Sequence, residues 1–225
     1  MKDVTITSLP EFHEAVQSWS ARHPIYRGHN SSKFKLLSKF GRAMERDTKN
    51  DLKCEKNTLR EFKRRARPYL DYSPADDWEW LALAQHHGLH TRLMDWTKNP
   101  LVAGYFAALM HKPNDDAHIY VLDEFALPRT DRSTSPFDIK GAVLFRPDHT
   151  TARITAQAGL FTVQPNPVEA LAVPGMERWT IKAALLTRLM LMVQTYGVNH
   201  ATVFPGLEGL CRDIDEWHVY GTTYF

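Results

Sequence analysis

The chain has little of what would mark it as secreted, metal-clustered or membrane-spanning. Its two cysteines, Cys54 and Cys211, lie far apart. Two isolated thiols make neither a disulfide framework nor a zinc site, and a reducing compartment is the simplest fit. The first residues, MKDVTITSLPEFHEAV, hold no apolar core of a secretory leader. No apolar run approaches the ~18 residues of a spanning helix. The expected setting is therefore the cytoplasm, without a membrane partner. Charge of one sign is also lacking. The formal net charge is +2, so any nucleic-acid role must rest on a local patch. No repeat, low-complexity tract, zinc finger, RNP motif or Walker loop is visible.

What is present is an ordinary globular composition, 43% hydrophobic and 24% charged. A length of 225 residues suits one large domain or two small ones. Six Trp, eleven Phe and eight Tyr promise an aromatic-rich core.

Ser8, Pro10 and Glu11 read as a helix start with a capping box, and Phe12, Ala15, Val16 and Trp19 follow at helical spacing. Pro24 breaks that helix. Ile25, Tyr26 and Arg27 read as a short strand ending at Gly28, followed by a polar loop over 29–35. A helix is predicted over 51–68, with Leu52, Leu59, Phe62 and Ala66 on one side. Lys53, Lys56, Arg60, Lys63, Arg64 and Arg67 form its other face. That face reads either as a solvated surface or, with Tyr69 and Tyr72 beyond it, as a phosphate-binding and base-stacking one. Another helix is predicted over 76–87, closed by a left-handed Gly88. Asn99 and Pro100 open a helix over 101–111. Strands are expected at 91–96, 118–122, 142–145, 160–163 and 178–181. Two last helices are expected at 182–196 and 205–217. The class is α+β, one domain over 1–225 with short central strands flanked by helices.

Residues 85–109, QHHGLHTRLMDWTKNPLVAGYFAAL, concentrate polar and aromatic chemistry around a loop. Half-buried groups of this kind need partners or a function. Arg27 can give a phosphate two donors, with Gly28 letting a ligand approach the backbone, or it can form an ion pair with Asp95. Arg92 and Asp95 point to opposite faces if both lie on a strand. Asp95 is placed to orient His86 or His87, or to hold Arg27. Trp96 can stack on a flat ring or belong to the core. His86 and His90 would align for a metal on a continuous helix, but Gly88 interrupts it and no Glu accompanies them, so no metal is expected. A general base or a hydrogen-bonded structural His is the better reading of His86 and His87. His29, just past Gly28, is a second candidate for the site, with a solvated loop residue the better reading.

Tyr26-Arg27-Gly28 and the block from Gln85 to Leu101 resemble the FRG domain of bacteria and phages. The resemblance continues in Val102 to Ala107, Gln157 to Phe161 and Phe204 to Leu207, and so runs over about 24–210. His90 stands where the family often has Pro. The order of blocks is also similar, more weakly, to Arg-Ser-Glu type ADP-ribosyltransferases. That similarity implies NAD as substrate, with Tyr26, Arg27, Gly28, Arg92 and Trp96 around the cofactor and Thr97 helping to orient it. Gln157 stands where the transferases have a catalytic Glu, so Asp95 would have to supply the negative charge, because an amide does not titrate. Glu169 is the nearest downstream carboxylate. The setting implied is a toxin or phage-defence effector, with a protein or nucleic-acid acceptor and an antitoxin as partner. Two other readings stand beside it. One is a non-enzymatic nucleotide- or nucleic-acid-binding module using Arg27, Arg92 and the basic helix. The other is a nuclease using His86, His87 and Asp95.

Overall fold

A computed structural model describes residues 1–46, 53–148 and 155–218. The first two residues of the helix expected over 51–68, and Arg153 and Ile154 of the block before Gln157, lie outside the described residues. Seven strands form one sheet: β1 (Lys2–Ile6), β2 (Pro24–His29), β3 (Met94–Thr97), β4 (Ala117–Asp123), β5 (Val143–Phe145), β6 (Gly159–Val163) and β7 (Glu177–Ile181). Their order is β1-β7-β4-β2-β3-β6-β5. Among the described residues only β1 and β7 pair as parallel strands; the other neighbours are antiparallel. The helices described are α1 (Leu9–Ser18), α2 (Lys39–Arg46), α3 (Lys53–Ala66), α4 (Asp77–His86), α5 (Pro100–Ala108), α6 (Ala183–Thr195), α7 (His200–Val203) and α8 (Leu207–His218). The protein is thus α+β, with one sheet between helices, as its sequence implies.

Local chemistry sets several boundaries. Ser8 caps α1 by accepting from the Glu11 N–H, and the Glu11 carboxylate reaches back to the N–H and hydroxyl of Thr7. Asn99 caps α5 through the Leu101 N–H, and Pro100 opens it. Gly88 and Gly197 follow α4 and α6 with φ of 92° and 84°, the left-handed stop that only glycine adopts freely. Met94–Thr97 is shorter than the strand expected over 91–96 because Thr91 and Arg92 turn into side-chain hydrogen bonds.

Alternation along the central strands divides the core. Tyr26, Ile119, Val121 and Trp179 face α1, α5 and α6, where Phe12, Tyr105 and Leu186 pack on them. Ile25, Tyr120, Leu122, Trp96 and Leu160 fill the opposite side. A third cluster joins α3 and α4 to Phe145 and Phe161 through Leu59, Trp78 and Leu81.

Gly28 has a packing reason. A Cβ there would overlap the Ala103 carbonyl oxygen and come within 2.7 Å of the Ala107 nitrogen. The glycine lets α5 lie directly on β2, so the close approach expected of a ligand is made by a helix.

Candidate functional site

The β2–β3 ladder consists of one residue pair, Tyr26 with Thr97. Beyond it Arg27 replaces the missing main-chain contact: its Nη1 donates to the Asp95 carbonyl at 2.5 Å. At this gap α4 and α5 leave a cleft of about 260 Å³. Tyr26, Asp95, Thr97 and Phe161 form its floor. Ala82, Gln85 and His86 enter from α4, and Phe106 from α5. Gln157 and Gly159 close one end, and Lys39 at the start of α2 stands at the rim.

The cleft is organised around Asp95, whose side chain is 49% exposed. Its Oδ1 accepts from Gln85 Nε2 at 2.7 Å, and its Oδ2 lies 3.5 Å from Arg27 Nη1. Gln85 in turn accepts from the Thr91 hydroxyl. Asp95 is the only carboxylate lining the cleft among the described residues. Arg27 is 12% exposed in its side chain, and its Nε donates to His29 Nε2 at 3.0 Å. Burial lowers the Arg27 pKa while Asp95 raises it. Because His29 accepts at Nε2, its neutral ring carries the proton on Nδ1. Burial first, then the charges of Arg27 and Arg42, hold its pKa well below the usual imidazole value. His29 is therefore not a solvated loop residue: it lies on β2, buried, and braces Arg27. Burial pushes the Tyr26 phenol up to about 12, so this wall is neutral.

Thr97 and Gln157 are tied together at the far end. The Thr97 hydroxyl donates to the Gln157 carbonyl at 2.5 Å and accepts from the Asn99 N–H. The Gln157 amide donates to the Val203 carbonyl at 3.1 Å, which links this end to the segment before Phe204. Ala158 follows with φ of 46°, an uncommon conformation for a residue with a Cβ. Trp96 lines the cleft but is buried, its indole N–H donating to Thr162 Oγ1 at 2.9 Å.

The structure thus gathers Tyr26, Arg27, Gly28, His86, Asp95, Trp96, Thr97 and Gln157, and separates two further candidates from them. Arg92 is not part of the cleft wall. It is buried against Glu55 of α3, with Nε to Oε2 at 2.9 Å, and its N–H also donates to Glu55 Oε1 at 2.8 Å. Its Nη1 donates to the Pro136 carbonyl. This contact could not be read from spacing, because Glu55 and Arg92 are distant in sequence. His87 caps α4 on the exposed side, outside the cleft, although its ring meets that of His86 at 4.9 Å. A nuclease site of His86, His87 and Asp95 therefore lacks its second imidazole in the cleft. Glu169 accepts from Asn166 Nδ2 and is exposed, away from the lining.

Two polar lining residues, Gln85 and Lys39, were not among the sequence candidates. Gln85 had a signal: it falls seven residues after Trp78, on the apolar side of its helix, where a buried amide needs a partner. Lys39 had none, because α2 is mostly polar and its helix was not expected.

Among the described residues no group of three or more His, Cys, Asp or Glu could hold a metal ion. Cys54 and Cys211 are not bonded to each other in a disulfide. No helix described is long and apolar enough to cross a membrane.

Fold and cleft together define an α+β protein with a largely apolar cleft, holding one carboxylate, at a break in its central sheet. Residues 22–116 match the family model of the FRG domain. The matched stretch supplies β2, β3, α4, α5 and the Arg27–Asp95–Gln85 network. No match was found among curated proteins or among solved structures.

Proposed function

We propose that the cleft takes NAD and that the chain is an ADP-ribosyltransferase-like effector of the toxin or phage-defence kind. The observation that carries this reading is the Asp95 carboxylate, half-exposed in the cleft and held on two sides by Gln85 and Arg27. When the bond between ribose C1′ and nicotinamide breaks, nicotinamide keeps the electron pair and positive charge develops on the ribosyl centre. A fixed carboxylate beside that centre stabilises it without reorganising. Asp95 takes this part because Gln157 cannot, its amide being neutral and occupied with Val203.

The remaining roles follow from position. Arg27 Nη2, with no hydrogen bond among the described residues, donates to a phosphate oxygen. Lys39 is the second cation within reach of the cleft. Tyr26, Phe106 and Phe161 give the nicotinamide ring flat apolar walls. The cleft's 260 Å³ suits the nicotinamide riboside end, with the adenosine half extending past the rim. His86 accepts the proton that the incoming nucleophile loses as it bonds to C1′.

The test is incubation with labelled NAD and a cell extract. Free nicotinamide and label on an extract macromolecule are expected. Neither appearing, with a folded sample, rejects the reading.

A further inference from the structure

The cleft leaves unexplained the most concentrated charge on the molecule. Along α3 and the turn after it, Lys56, Arg60, Lys63, Arg64 and Arg67 recur at three- and four-residue spacing, which places them on one face. Like charges four apart, as in Arg60 and Arg64, repel and weaken a helix. Local counter-charges offset only part of this. Arg64 is paired with Glu61, Lys63 with Asp77 and Lys56 with Asp138, while Arg60 meets the neutral Asn57. Arg67 has no ion pair among the described residues. A groove on this ridge is lined entirely by Arg60, Lys63, Arg64 and Arg67. The whole chain carries only +2, so the ridge is a local feature rather than a property of the surface at large.

Two more observations define what the ridge fits. Tyr69, two residues beyond Arg67, is 86% exposed, an unusual position for a ring with no packing role. The helix itself is firmly mounted. Glu55 faces inward and forms the buried pair with Arg92, at 2% and 5% side-chain exposure, so the ridge is presented on a rigid element. We infer that this ridge binds single-stranded nucleic acid, with the four groove cations on successive phosphates and Tyr69 stacked on a base. The four cations account for affinity, and Tyr69 distinguishes an unpaired strand, whose bases are open to stacking, from a duplex. This surface is separate from Asp95 and does not depend on the reaction assigned to the cleft.

The experiment is fluorescence anisotropy of the full chain with labelled oligo(dT) and oligo(U) of about 20 nucleotides, at salt from about 50 to 200 mM. Expected is binding whose logarithm falls with log salt at a slope of about −3, as four cations on a single strand require. The double variant Arg60→Glu/Arg64→Glu should bind at least about tenfold more weakly, and Arg60→Gln/Arg64→Gln should fall between it and the unchanged protein. Tyr69→Ala should cost about tenfold on the single strand and little on a duplex. Asp95→Asn should leave binding unchanged. Matching melting temperatures identify the variants that remain folded. Binding that is absent, or indifferent to the charge variants, overturns the inference. So does equal binding of duplex or poly-glutamate with no effect of Tyr69→Ala, which would mark a general polyanion surface.

Discussion

Arg27 meets Asp95 twice, through the main-chain carbonyl at 2.5 Å and through the carboxylate at 3.5 Å. The first contact mends the sheet where the β2–β3 ladder stops, and the second sets a charge in the cleft. One side chain therefore serves both the sheet and the cleft. Lysine keeps the charge but not the planar fork that reaches both His29 and Asp95. Arg27→Lys should lower stability by about 2 kcal/mol, the scale of a lost hydrogen bond to a charged group. Urea denaturation checks this, and an unchanged midpoint would show that the fork is not needed to close the sheet.

The Glu55–Arg92 pair holds α3 to the segment entering β3. Burial raises the Glu55 pKa even with Arg92 against it. Removing one partner strands the other in a dry site. Arg92→Met or Glu55→Gln should each cost about 3–5 kcal/mol, and the double replacement with apolar residues should recover much of it. A double-mutant cycle by chemical denaturation measures the coupling.

Stability should fall as the medium is acidified below neutrality. His29 and His118 both have folded pKa values below the usual 6.5, chiefly through burial. Above 6.5 both rings are neutral whether folded or not. Below 6.5 the unfolded chain takes up protons that the folded rings refuse, so acid favours unfolding. Each ring contributes up to about 1.4 kcal/mol per pH unit in that window. Melting at pH about 7 and 5.5 should differ accordingly, and His118→Gln should flatten the slope. A melting temperature constant over this range would contradict the burial of neutral imidazoles.

The sequence made the locally determined features legible. Ser8, Asn99, Gly88 and Gly197 act on their own neighbours, so their caps and stops could be read. Strand β1 could not, because it is defined by a parallel pairing with β7 at the other end of the chain. The cleft was legible in part: Tyr26 to Gly28, Gln85 with His86, and Asp95 to Thr97 do come together. Its internal wiring was not. Arg92 looked equivalent to Arg27 in chemistry, and only the fold directs one to Glu55 and the other to Asp95. Gly28 read as room for a ligand, whereas the space is taken by α5.

Asp95→Asn removes the charge proposed to stabilise the ribosyl centre. The amide keeps the size of the side chain and can still hydrogen-bond Gln85, but lacks the charge. Calorimetric titration with NAD, alongside the rate of nicotinamide release, separates binding from chemistry. In Asp95→Asn, NAD affinity should stay within a few-fold of the unchanged protein and the release rate should fall by about a hundredfold or more. Nicotinamide release at the unchanged rate in Asp95→Asn would contradict that role of the charge.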